Sequence, residues 1–204
     1  METSLLMFFT MGFGLGMLHA FDPDHLAAVG GLSVGTTQQS CWKFAFFWSL
    51  GHGTILLLIA VLFFLVGIVI PSQVSMAAEH FVAFMLVFIG VWGGIKLYMS
   101  TVKKAQYRAV LNGSSWLVGG IHGTAGSASL LALIPLAKIE SPMVAMGYVI
   151  LFCLGVTLAM VSMGRLLGHV SRFLQRLSTY WERYMQAALA LFSLSLGCYL
   201  VMSH

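Results

Sequence analysis

The chain has 204 residues, 59% of them hydrophobic and only 8% charged, with a formal net charge of +4. Soluble domains carry about 25% charged residues, so this composition cannot cover a water-facing surface and excludes a soluble globular protein. The positive charges lie between apolar segments, where they report membrane topology and not nucleic-acid binding.

A helical crossing of the bilayer core takes about 20 apolar residues, and six segments qualify. The first starts near Leu5 and runs into the polar stretch "LHAFDPDHLAAV" at 18–29. The second, about Phe44 to Ile70, opens with "SLGHGT"; the third covers about Met76 to Met99. The fourth, about Trp116 to Ala137, carries "GGIHGTAGSASLL". The fifth covers about Met143 to Leu167 and the sixth about Met185 to Met202. None of these runs alternates, so a closed barrel is excluded and helices remain to satisfy the backbone. The expectation is an all-α polytopic membrane protein with six transmembrane helices, in one domain over residues 1–204, because the linkers are short. The N-terminus lacks a basic leader region, so no cleavable signal peptide is expected. Cys41, Cys153 and Cys198 are far apart, which argues against a disulfide framework.

With six spans, both termini share one side. That side holds one basic residue, Lys138, while Lys43, Lys96, Lys103, Lys104, Arg108, Arg165, Arg172, Arg176 and Arg183 lie on the other. Basic loops stay in the cytoplasm, so both termini are expected outside it, in a cell inner (plasma) membrane. The chain also echoes itself. "GMLHAF" at 16–21 returns as "GGIHGT" at 119–124, and "WSLGHGT" at 48–54 as "FCLGVT" at 152–157. Halves of about 1–104 and 105–204 with three spans each would be inverted relative to one another, a transporter plan that places the site at the repeat interface.

The chemistry concentrates in His19, Asp22, Asp24 and His25. A charge at the bilayer centre costs roughly 2.5–3.5 kcal/mol on insertion scales, and such residues mark ion pathways. Pro23 removes a backbone donor and disrupts the bond to the His19 carbonyl, so a broken helix is expected here. Broken helices are tolerated at membrane depth where they line a cavity. Mixed imidazole and carboxylate ligands suit a divalent transition metal. His52 and His122 stand in apolar spans, flanked by glycines, with Ser49, Thr54, Thr124, Ser127 and Ser129 nearby.

His19, four residues, then Asp24-His25 is an H-x4-D-H pattern that resembles the signature of the nickel/cobalt transporter family. "SLGHGT" resembles that family's next histidine-bearing segment, and "HGTAGSASLL" resembles its short six-span branch, which includes urease-accessory nickel permeases. The resemblance implies a permease for nickel or cobalt. It places the metal on His19, Asp24 and His25, with Asp22, His52 and His122 beside them. The metal would be a transported ion; no cofactor and no catalytic residue is implied. The partners would be that ion and the lipid bilayer, with no nucleic acid, and a homo-oligomer is left open.

Blander readings exist for each residue. The aspartates could cap a helix in the headgroup region, and His52 or His122 could be a polar cross-link between helices. His80, His169 and His204 fall near span ends and read as interfacial. Three other functions compete: an exporter of manganese, iron or zinc, a membrane redox carrier, and a structural or accessory membrane subunit, which would leave the costly cluster unexplained. Thiol-electron carriers of similar plan need cysteines where His19 and His122 stand, and no thiolate is available there. No nucleophile with an activating base is visible, so an enzyme is not expected.

Overall fold

A computed structural model of the chain describes residues 2–33, 38–68, 71–103, 112–125 and 141–203. Every element in it is helical: α1 (Glu2–His19), α2 (Pro23–Ser33), α3 (Gln38–Val61), α4 (Ser72–Lys103), α5 (Asn112–Thr124), α6 (Pro142–Leu177) and α7 (Thr179–Ser203). No strand occurs among the described residues.

The helix ends follow from local sequence. A single π-helical turn, Leu62–Val66, prolongs α3 and stops at Gly67, whose φ of 76° only glycine adopts without penalty. The Gly67 N–H donates back to the Leu62 carbonyl, and Pro71 stands directly before α4, its carbonyl accepting a bond from the Val74 N–H at 3.0 Å. Pro142 sits in the first turn of α6, where its missing N–H costs nothing. Extended Ser178 separates α6 from α7, and its hydroxyl accepts a bond from the Tyr180 N–H at 3.2 Å.

Four helical segments are each long and apolar enough to cross a membrane: Cys41–Val66, Gln73–Met99, Pro142–Leu177 and Thr179–Ser203. Leu5–His19 and Pro23–Leu32 meet that test together, as a pair bent by 53°. The break expected at Pro23 is therefore present. Of the candidate span near Trp116–Ala137, the structure describes α5 and Ala125, while positions 126–140 lie outside the described residues. At 36 residues, α6 runs ten residues beyond the expected Leu167, because its last turns are amphipathic and escape a purely hydropathic reading.

The molecule turns apolar side chains outward as well as inward. Leu6, Leu58, Phe84, Phe88, Leu117, Leu154 and Leu191 are all exposed. Exposure of so many large apolar side chains is unfavourable in water and suits acyl chains. The chain is a multi-pass membrane protein.

Within the bundle, α3 packs against α5 and α6, α1 packs on α6, and α4 packs on α7 with α2 against both α4 and α7. Two of these crossings are closed by reciprocal glycines. Gly16 of α1 lies against the Phe152 carbonyl and Gly155 of α6 against the Phe13 carbonyl; Gly119 of α5 lies against the Trp48 carbonyl and Gly51 of α3 against the Trp116 carbonyl. Any Cβ at these glycines would fall within 3.0 Å of a carbonyl oxygen, so only glycine allows the backbones to touch. The four positions of the first crossing recur in the second at the sequence offset of the echoes between 16–21 and 119–124 and between 48–54 and 152–157.

Candidate metal site

The site forms where α1 ends. The Asp22 N–H donates to the His19 carbonyl at 3.0 Å, and the chain re-enters a helix at Pro23, with the Leu26 N–H bonded to the Asp22 carbonyl at 3.1 Å. Proline at this position has no N–H to offer the His19 carbonyl. That oxygen instead takes a second donor, Nδ1 of His25, at 3.0 Å. The break thus folds the His25 ring back beneath His19.

The rings of His19, His25 and His122 are each oriented by the nitrogen they do not present to the cluster. A carbonyl can only accept, so His25 carries its proton on Nδ1 and leaves Nε2 with a free lone pair. His122 does the same through Nδ1 and the Val118 carbonyl at 3.0 Å. His19 Nδ1 lies 2.7 Å from Asp22 Oδ2, a charge-assisted bond to the carboxylate. A second partner that fixes tautomer and ring orientation is the hallmark of metal-ligating histidines. Nε2 of His19, Nε2 of His122 and both nitrogens of His52 are buried with no hydrogen-bond partner. Buried polar atoms normally have one, so four unpartnered imidazole nitrogens in one place need a chemical reason.

These rings form one cluster. Ring centroids are 4.6 Å apart for His19 and His25, 5.4 Å for His19 and His52, 5.2 Å for His25 and His52, and 5.9 Å for His25 and His122. His19, His25 and His52 each present a nitrogen such that all three atoms lie within 4.8 Å of one another. Asp22, Asp24 and His25 form a second set under the same limit. Asp24 Oδ2 is 3.8 Å from His25 Nε2, too far for a hydrogen bond but a span that two bonds of about 2.1 Å to one ion would bridge. The structure thus brings together all six residues singled out in the sequence, with His122 reached through His25.

The hydroxyls behave differently. Ser49 is buried and bonds the Phe46 carbonyl at 2.8 Å. Thr54 and Thr124 are exposed and bond their own helices at Leu50 and Ile121, so neither lines the cluster. Ser127 and Ser129 lie outside the described residues. Cys153 Sγ faces the Gly53 carbonyl at 3.8 Å.

The sequence reading missed Trp48. Its fully buried indole stacks on His52 (5.2 Å, 10°) and meets His25 (4.8 Å, 70°) and His122 (5.2 Å, 62°) edge on. It stands four residues before His52, hence on the same helix face, and that spacing was the available signal. Phe152 closes the other side, 5.4 Å from His19.

A polytopic helical membrane protein with unpartnered buried imidazoles and carboxylates at a helix break belongs among membrane proteins that handle metal cations. The comparisons agree. The NicO family model, described as high-affinity nickel-transport protein, matches residues 5–113, and the chain belongs to that family. It is 29% identical over 182 residues to the urease accessory protein UreH of Bacillus sp. (strain TB-90), covering 82% of this chain and 78% of that protein. It is also similar to two Arabidopsis thaliana proteins, Chloroplast protein FOR GROWTH AND FERTILITY 2 (25% identity, all of this chain, 58% of the relative) and Chloroplast protein FOR GROWTH AND FERTILITY 1 (26% identity, 80% and 50%). The match therefore spans about half the length of these two plant proteins. No solved structure matches the chain. Membership of a transport family makes the protein a transporter and the metal its transported substrate.

Proposed function

We propose that this protein is a permease that moves a divalent transition-metal ion, nickel or cobalt, through the cluster at the break between α1 and α2. His19, Asp24 and His25 hold the ion, Asp22 orients His19, and His52 and His122 complete or hand on its coordination. The observation that carries this reading is that His19, His25 and His52 present ring nitrogens within 4.8 Å of one another, while Nε2 of His19 and both nitrogens of His52 are buried without a hydrogen-bond partner. Neutral imidazole is a preferred ligand of nickel and cobalt, whereas magnesium and calcium prefer all-oxygen sites. Asp22 and Asp24 offset the cation's charge in a medium that would otherwise penalise it.

The permease reading extends to the architecture. Six spans in two inverted halves would place His19 and His122 at equivalent positions on the interface between them, and the recurrence of the glycine crossings supports this. Both termini lie outside the cytoplasm, in the plasma membrane, because nine of ten basic residues then face inward. The test is uptake of radioactive nickel, cobalt, zinc and manganese by cells that carry the protein. Nickel or cobalt accumulation above that of cells without it is expected; equal accumulation of all four metals in both would contradict the proposal.

A further inference from the structure

We infer that the cluster holds two successive positions for one cation, with His25 belonging to both. This rests on the permease reading above and deepens it. The outer position is Asp22, Asp24 and His25; the inner one is His19, His25 and His52. They differ in access. The Asp22 and Asp24 side chains retain 35% and 30% of their exposure, whereas His25 retains 2% and His52 none. They also differ in chemistry, since the outer set offers carboxylate oxygens with one nitrogen and the inner set offers nitrogen alone.

The arrangement has a physical logic. A hydrated divalent ion loses its water at a heavy cost, and negative oxygens at the half-exposed mouth offset that cost first. Oxygen ligands accept most divalent ions and select weakly, whereas three imidazoles favour nickel and cobalt over manganese and magnesium. Admission and selection therefore occur at different residues. The ion exchanges Asp22 and Asp24 for His19 and His52 while His25 stays bound, so its coordination never falls to nothing between positions. Because His25 has one free nitrogen, its other being committed to the His19 carbonyl, the two positions cannot be filled at once. The inner set is ready for a ligand on separate evidence: both His52 nitrogens and His19 Nε2 are buried without partners.

The test uses purified full-length protein in detergent, titrated with Co(II) and followed by its visible absorption, together with nickel transport in the presence of excess manganese. One cobalt per chain is expected. Asp22→Asn and Asp24→Asn should raise the half-saturating nickel concentration for transport about tenfold or more, the lower end of what losing even an outer partner of a metal ligand costs. Asp24→Asn should keep the cobalt spectrum and the resistance to manganese of the wild type; Asp22→Asn also loses the carboxylate that holds His19 Nδ1, so it is read for nickel affinity alone. His52→Gln should alter the cobalt spectrum and let manganese inhibit nickel transport. Two cobalt ions per chain, or the same change of spectrum and manganese sensitivity in Asp24→Asn as in His52→Gln, would overturn the two positions while leaving a metal site in place. Absence of cobalt binding by the wild type would overturn the permease site itself. A stoichiometry of two in the wild type overturns the proposal even if a variant fails to fold.

Discussion

At the scale of single residues, the account turns on which nitrogen each histidine offers. Asp22 and the His19 and Val118 carbonyls hold the Nδ1 atoms of His19, His25 and His122, which leaves the Nε2 atoms for an ion. His19→Ala, Asp24→Ala and His25→Ala are each expected to abolish nickel uptake, with protein abundance in the membrane fraction unchanged. Wild-type rates in all three would remove these residues from the pathway. Trp48 acts on the same rings from behind. Trp48→Ala empties a fully buried position, and large-to-small changes of this size cost about 3–5 kcal/mol in well-packed cores. The melting temperature in detergent should fall markedly, and Trp48→Phe should fall between the two.

At the scale of elements, the break at Pro23 and the glycine crossings make distinct predictions. Pro23→Ala restores an N–H that can bond the His19 carbonyl, which competes with the His25 imidazole for that oxygen. Transport should drop severalfold while the protein still inserts, measured as initial nickel uptake normalised to membrane-fraction protein. Gly16→Val puts a branched side chain against the Phe152 carbonyl, whereas a Cβ added at Gly14 would meet nothing within 4 Å. Thermal unfolding in detergent should show Gly16→Val strongly destabilised and Gly14→Ala unchanged or slightly stabilised by its better helix propensity. Equal melting temperatures for the two would contradict close α1–α6 contact. Some of this was legible beforehand. The proline between two aspartates announced the break. Helix phase separates the hydroxyls that stand near these histidines. At 100° per residue, Thr54 and Thr124 stand two positions and 200° beyond His52 and His122, on the opposite face, while Ser49, three positions before His52, shares its face and is buried.

At the scale of the whole molecule, hydropathy alone yielded the all-helical membrane class, because 8% charge leaves no alternative. It yielded span positions for α3, α4, α6 and α7 to within a few residues at most ends. It did not yield the full reach of α6, whose terminal turns place Arg165, His169, Arg172 and Arg176 beside exposed Leu166, Val170, Phe173 and Leu177. Nor could it yield the convergence of His52 and His122 on His25, since contact between distant helices depends on packing that one-dimensional pattern does not encode. The same basic residues set the expected orientation. A single cysteine at Lys104 should resist an impermeant thiol reagent applied to intact cells, in a background free of native cysteines, while one at Ser203 should react. The reverse pattern would invert the molecule.

The central claim is that the metal crosses the membrane through the buried imidazoles, and the most direct measurement is time-resolved accumulation of radioactive nickel in liposomes containing the purified protein, wild type beside His25→Ala. Wild-type liposomes are expected to accumulate nickel well above protein-free liposomes, and those with His25→Ala to match the protein-free ones. Accumulation by His25→Ala at the wild-type rate, or none by the wild type, would contradict the account.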